Sequence, residues 1–331
     1  MALSSDEFTL FNLTESSELK LQVEQSAQQR YAAAIIILIF CISLPGNSFL
    51  LWVLRREQAW KSTPDILLLQ LTVANLCFTL NLPFEACNVL HGWIFGDWAC
   101  GVGIWVYYLG LNTSVVILTA MSLHYYVSAV QVSCLCAQVS RKCGVLVASI
   151  LIWLVGAVSS IKLSVNSGVT HDEVCVHMES LTMLLVDLYM EIFLFFLIPF
   201  FIVTFCYVHM WIMVKQGRIN SNQQPSKLIL WITVAIFLCL TPYCVLNFIM
   251  TLEILGVLNL TRAGFHVLHF AWAILYPLSH FYCCLSPLFH IIGAQRFRKY
   301  VSILCNPLSQ SRDVSNNESS VVFIHLKDEE M

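Results

Sequence analysis

The stretch WACGVGIWVYYLGLNTSVVILTAMSLHYYVSAV, residues 98–130, decides the fold. It holds no Asp, Glu, Lys or Arg, and the charge-free run continues to Ser140. A helix of that length in water would need charge on its outer face. One surrounded by lipid and other helices does not, because its backbone groups are satisfied within the segment. Working outward, the pattern recurs in apolar blocks at about 31–54, 65–90, 97–131, 143–166, 181–214, 227–255 and 264–292. Each is long enough to cross roughly 30 Å of hydrocarbon, which takes about 20 helical residues. The linkers are short and polar: Arg55 to Pro64, Gln131 to Lys142, Lys215 to Ser226. The 331 residues are 58% hydrophobic and 11% charged, against about 25% charged in ordinary soluble domains. The expected fold class is all-α membrane, a seven-transmembrane helix bundle.

Orientation follows from the basic residues. Arg55, Arg56, Lys61, Arg141, Lys142, Lys215, Arg218, Lys227, Arg296, Arg298 and Lys299 flank the blocks on one side, and Lys20, Arg30, Lys162 and Arg262 on the other. The positive-inside rule makes the first group cytoplasmic. Residues 1–30 are then expected to be an extracellular tail, with no cleavable signal peptide, and 31–292 the bundle in the plasma membrane. Residues 293–305 alternate basic and apolar side chains at helical spacing, as in an amphipathic helix lying on the inner membrane surface. Cys305 ends that helix, as a palmitoylation site or as a plain thiol. The Ser-, Asn- and acid-rich segment 306–331 is expected to be a disordered cytoplasmic tail.

Landmark residues, at least one in every block, then carry a resemblance. They are Gly46-Asn47, Leu71-Thr-Val-Ala-Asn75, Trp93-Ile-Phe-Gly96 followed by Cys100, Trp153, Pro199 with Tyr207, Cys239-Leu-Thr-Pro242 and Ser286-Pro287. In that order they resemble the rhodopsin-like (class A) G-protein-coupled receptors over nearly the whole chain. Leu82-Pro83-Phe84, Pro242-Tyr243 and His280-Phe-Tyr-Cys-Cys-Leu-Ser-Pro287 resemble the chemokine receptor group. His124-Tyr125-Tyr126-Val-Ser-Ala-Val130 is most similar to the XC (lymphotactin) branch.

The resemblance implies a basic chemokine ligand of XC type, a heterotrimeric G protein or arrestin inside, and no cofactor. Cys100 and Cys175 are the two of 14 cysteines best placed outside, where an oxidising environment favours a bridge over free thiols. Asp6, Glu7, Glu15, Glu18, Glu24, Asp97, Asp172, Glu173 and Glu179, with Glu85, Asp187, Glu191 and Glu253 at the mouth, outnumber the four outer bases. Such a field would steer a basic partner; the plainer reading is a solvated surface. Glu85, Asp187 and Glu191 are expected to meet the ligand's buried end, since charge inside a bundle is costly. Tyr107, Tyr108, Trp272 and Tyr276 are expected to line the same cavity or simply to pack. Asn12 and Asn259 head outer glycosylation sequons, whereas the match at Asn112 lies inside a block.

The chain departs from the family where signalling is transmitted. Tyr125 stands where the family has an arginine whose fork a phenol cannot reproduce. Asn75 replaces the sodium-binding Asp, Leu240 replaces a Trp beside Pro242, and Ser286-Pro287-Leu-Phe-His290 replaces Asn-Pro-x-x-Tyr. With His124, Tyr126 and Tyr207 these are the expected coupling positions. Two readings stay open: a signalling receptor, and an atypical one that captures chemokine without activating a G protein. A transporter is the reading from another class, but the chain shows no internal repeat. No lysine in 264–292 is available to hold retinal. No His/Cys/Asp/Glu cluster has metal-ligand spacing and no nucleophile motif appears, so neither an enzyme nor a metal site is expected. Nucleic-acid binding is not expected either, since the bases form a band rather than a patch.

Overall fold

The computed structural model describes residues 5–58, 60, 62–130, 138–171, 173–178, 180–218, 227–293 and 295–305; side chains of 5–22, 138–143, 302–305, His177, Lys227 and Arg296 are also outside the description. The sequence expectations for the side chains of Asn12 and Cys305, for Lys61, Asp172 and Glu179, and for 306–331 therefore lie outside the described residues.

The helices follow the apolar blocks. They are α1 Ser5–Arg56, α2 Thr63–His91, α3 Gly96–Val130, α4 Gln138–Val165, α5 Leu181–Ile192, α6 Ile198–Lys215, α7 Lys227–Ile254, α8 Arg262–Ser279, α9 Tyr282–Gly293 and α10 Gln295–Cys305. A two-stranded antiparallel hairpin, β1 Ser167–Val169 and β2 Cys175–His177, sits between α4 and α5. Among the described residues, six helical stretches are each long and apolar enough to cross a membrane. The α8–α9 pair, bent by 43°, makes a seventh when taken as one span. The bases Arg55, Arg56 and Lys215 fall in last turns at the end of the bundle that carries α10.

α1 begins at Ser5, so residues 5–30, expected as a tail, continue the first span as helix. Two breaks have local causes. Pro199 lacks an amide hydrogen, and a π-turn at Phe193–Leu197 precedes it; the wider turn keeps the proline ring clear of the carbonyl one turn back. The bend between α8 and α9 lies at His280-Phe281, just after Pro277, whereas Pro287 sits within α9. There the Cys239 thiol donates to the carbonyls of Leu278 (3.5 Å) and Ser279 (3.7 Å).

The core runs along α1, α2, α3, α7 and α9, with Ile36, Leu50, Leu71, Phe78, Ile117, Ile232 and Tyr282 almost wholly enclosed. The outward faces of α4, α6 and α7 are the reverse: Leu154, Val158, Phe201, Trp231 and Leu238 stand exposed. In water that apolar surface would be an aggregation site; in hydrocarbon it is the correct exterior.

Candidate ligand site at the hairpin end

The hairpin is fastened at several points. Cys100, at the head of α3 and fully buried, is disulfide-bonded to Cys175 with Cα atoms 5.6 Å apart. Beside it the Cys175 amide donates to Asn88 Oδ1 of α2 (3.2 Å). The Val169 amide donates to Asp97 Oδ1 (2.8 Å). The Trp93 amide donates to the Glu173 carbonyl. Gly92 makes that last approach possible: its φ is +81°, and a Cβ there would stand 2.7 Å from the Glu173 oxygen. The hairpin is thus a braced cover attached to both α2 and α3.

Beneath it the polar residues pair across helices. The Tyr276 hydroxyl of α8 donates to Glu85 Oε1 of α2 (2.6 Å). Trp272 stacks on Tyr276 at 4.9 Å, and its indole N–H donates to Asn247 Oδ1 (3.0 Å). Lys162, at the end of α4, forms an ion pair with Asp187 of α5. One turn further along α5, Glu191 Oε2 accepts from Asn112 Nδ2 of α3 (3.3 Å).

A cavity of about 80 Å³ lies deeper, enclosed by α2, α3, α5, the π-turn, α7, α8 and α9. Of the seven expected ligand residues, Tyr107, Tyr108 and Glu191 line it. Glu85, Trp272 and Tyr276 form a separate cluster between α2 and α8, and Asp187 is held by Lys162. Sequence reading passed over Asn112, Tyr243 and His280, which also line the cavity. Asn112 had a usable signal, being a polar residue amid the charge-free run. His280 packs against Phe78 and Tyr107 in the bend that follows Pro277.

The positions expected to serve coupling lie below. Leu240 lines the cavity floor. Asn75, 1% exposed, accepts from Ser114 Oγ (3.0 Å), next to a Ser43–Thr79 pair at 2.6 Å. Asn47 Nδ2 donates to the Cys283 carbonyl of α9 (3.0 Å). Tyr125 packs against the main core, with its ring 5.8 Å from that of His124. Tyr126 instead reaches α6, its hydroxyl 3.1 Å from His209 Nδ1. Tyr207 is half-buried beside that contact. Ser286 is buried; His290 donates from Nδ1 to the Ser286 carbonyl (2.7 Å) and packs edge-on against Phe297 of α10. Pro287 touches the first span, where a Cβ on Gly46 would stand 3.0 Å from it. Pro242 lies within α7. Asn259 is exposed in the α7–α8 connection, and Asn112 is fully buried, so no sugar reaches it.

The helix bundle is matched by sequence. The family described as 7 transmembrane receptor (rhodopsin family) matches residues 46–290. Chemokine XC receptor 1 of Homo sapiens is 31% identical over 269 residues, 80% of this chain and 78% of that protein. The chain belongs to the rhodopsin-family receptors, in the chemokine receptor group. The receptor is also similar to C-C chemokine receptor type 8 of Mus musculus, 28% identical over 305 residues (89% of this chain, 82% of that one). Atypical chemokine receptor 4 of Homo sapiens is 24% identical over 281 residues (82% and 78%). The receptor is accordingly a multi-pass membrane protein whose expected fold class and disulfide are both present.

Proposed function

We propose that this receptor binds a basic chemokine at the hairpin end, with that end and the amino terminus outside the cell, and couples binding to a heterotrimeric G protein or arrestin inside. The observation that carries the reading is the braced hairpin over a tyrosine-lined cavity, on a chain that belongs to the chemokine receptors. The acidic surplus at that end supports it, less Asp187, whose charge is paired with Lys162. Chemistry of the XC type is the first candidate for the ligand, since the relative matched at 31% is named for it.

A second reading is capture and internalisation without G-protein activation. Tyr125 favours it: where the family has a mobile cation, this chain has a phenol packed against the core. Such a ring supplies neither the charge nor the donor fork of the arginine. Measuring G-protein activation by the natural chain and by Tyr125→Arg, with chemokine bound to both, separates the two. Robust activation by the natural chain supports signalling. Activation only after Tyr125→Arg supports capture.

A further inference from the structure

We infer that the connection between α2 and α3 is seated in the lipid–water interface at the hairpin end, with Ile94 and Trp98 among the phospholipid headgroups and upper acyl chains. The inference goes beyond ligand binding and rests only on the chain's being a membrane protein.

Exposure and composition are the first support. Ile94 is 68% exposed, Phe95 40% and Trp98 82%. Apolar side chains exposed singly are ordinary, but three within five positions make a patch that calls for a partner. The segment is also nearly free of charge. From Gly92 to Ser140 the only Asp, Glu, Lys or Arg is Asp97. That carboxylate is turned to the hairpin, where Oδ1 accepts from the Val169 amide (2.8 Å).

The patch continues a surface that already meets lipid. Leu80 and Phe84 are exposed on one face of α2, and the Phe84 ring meets that of Phe95 edge-on at 5.2 Å. On α3 the exposed Val102 lies one turn beyond Trp98, so the two share a helix face. The apolar stripes of two spans thus run without a break into the connection. Hydrocarbon covers the stripes, and the headgroup region meets their ends. Tryptophan is favoured at that level, because its ring is apolar while its N–H is polar.

The same segment is fixed to the hairpin. Trp93 is buried, its indole N–H donates to the Gly96 carbonyl (2.9 Å), and its amide donates to the Glu173 carbonyl. Phe95 packs edge-on against Trp93 at 5.1 Å as well as against Phe84. The turn at Gly96, with φ of +81°, separates a buried tryptophan from an exposed one. One short connection therefore joins the braced cover to the bilayer, and lipid supports the hairpin from outside the bundle.

The test uses the purified full-length receptor in phosphatidylcholine nanodiscs loaded with a single copy, and no chemokine. The chain holds 9 tryptophans, so the Trp98 fluorescence is read as the difference between the natural chain and Trp98→Phe. Lipid brominated near the headgroup end of its acyl chains should quench most of that difference, and iodide in the buffer should leave most of it. Ile94→Trp, made in the otherwise natural chain, should add a component that behaves the same way. It covers the case in which Trp98→Phe does not fold. A component untouched by brominated lipid and quenched by iodide would overturn the seating. So would shielding from iodide that requires an added basic chemokine, which would make the patch a ligand contact. Shielding found only in discs with paired receptors would overturn it too, in favour of an interface between copies.

Discussion

The hydroxyl of Tyr276 lies 2.6 Å from Oε1 of Glu85, tying α8 to α2 at the hairpin end of the bundle. A phenol donating to a carboxylate is among the stronger side-chain bonds, worth about 1.5–3 kcal/mol. Trp272 stacks on the same ring and holds it in place. Tyr276→Phe should therefore lower the stability of the purified receptor by roughly that amount, and Glu85→Gln by less, because an amide oxygen still accepts. In a double-mutant cycle read by thermal unfolding, the two changes should be clearly non-additive. Strict additivity would mean that the pair is not coupled.

The approach of Gly92 to Glu173 gives a second expectation with an internal control. Gly92 and Gly96 share a φ of +81°, a conformation costly for any side-chain-bearing residue. Only at Gly92 would a Cβ meet the Glu173 carbonyl, at 2.7 Å; around Gly96 there is open space. Alanine at Gly96 should cost about 1–2 kcal/mol, and alanine at Gly92 distinctly more, with ligand binding weakened as the hairpin shifts. Equal effects of both substitutions on stability and binding would remove the bracing role of this contact.

Much of this was legible in the sequence, and what was not has physical reasons. The spans could be read because lipid tolerates no unsatisfied backbone, which forces long apolar blocks. Cys100 and Cys175 stood out by compartment. The pairings of Glu85 with Tyr276 and of Asp187 with Lys162 could not be read, because they join residues far apart in the chain whose meeting depends on helix rotation. The expected single ligand cluster accordingly divides in two, with Glu191 on the cavity side and Glu85 on the other. Nor could the bend of the seventh span be read: it lies at His280-Phe281, whereas Pro287 sits within α9.

Asn75 makes a third expectation. Its oxygen accepts from Ser114, and the neighbouring Ser43, Thr79 and Asn47 are bonded among themselves, so this polar layer contains no acid. Without a carboxylate, a monovalent cation gains little there by leaving water. Exchanging potassium for sodium at constant ionic strength should leave thermal stability unchanged. Asn75→Asp should introduce a sodium-dependent rise in Tm. A sodium-specific shift in the natural chain would contradict the account of this layer.

The contact of Tyr126 with His209 gives a fourth. It joins α3 to α6 near the end that carries α10 and is reinforced by Phe205, which stacks on His209. Tyr126→Phe keeps the ring packing and removes the bond, and should cost about 0.5–1.5 kcal/mol. Tyr126→Ala, which removes the ring as well, should cost more. Equal losses in unfolding experiments would show that the hydrogen bond, not the packing, makes this junction.

The most direct test of the central claim is chemokine binding to intact cells that express the chain with an amino-terminal tag, using a panel that includes XC-type ligands. The account predicts a tag accessible without permeabilisation and saturable binding of at least one basic chemokine, lost when Cys100 or Cys175 is replaced by Ser. A tag reachable only from the cytoplasm, or an accessible tag with no chemokine bound across the panel, would contradict it.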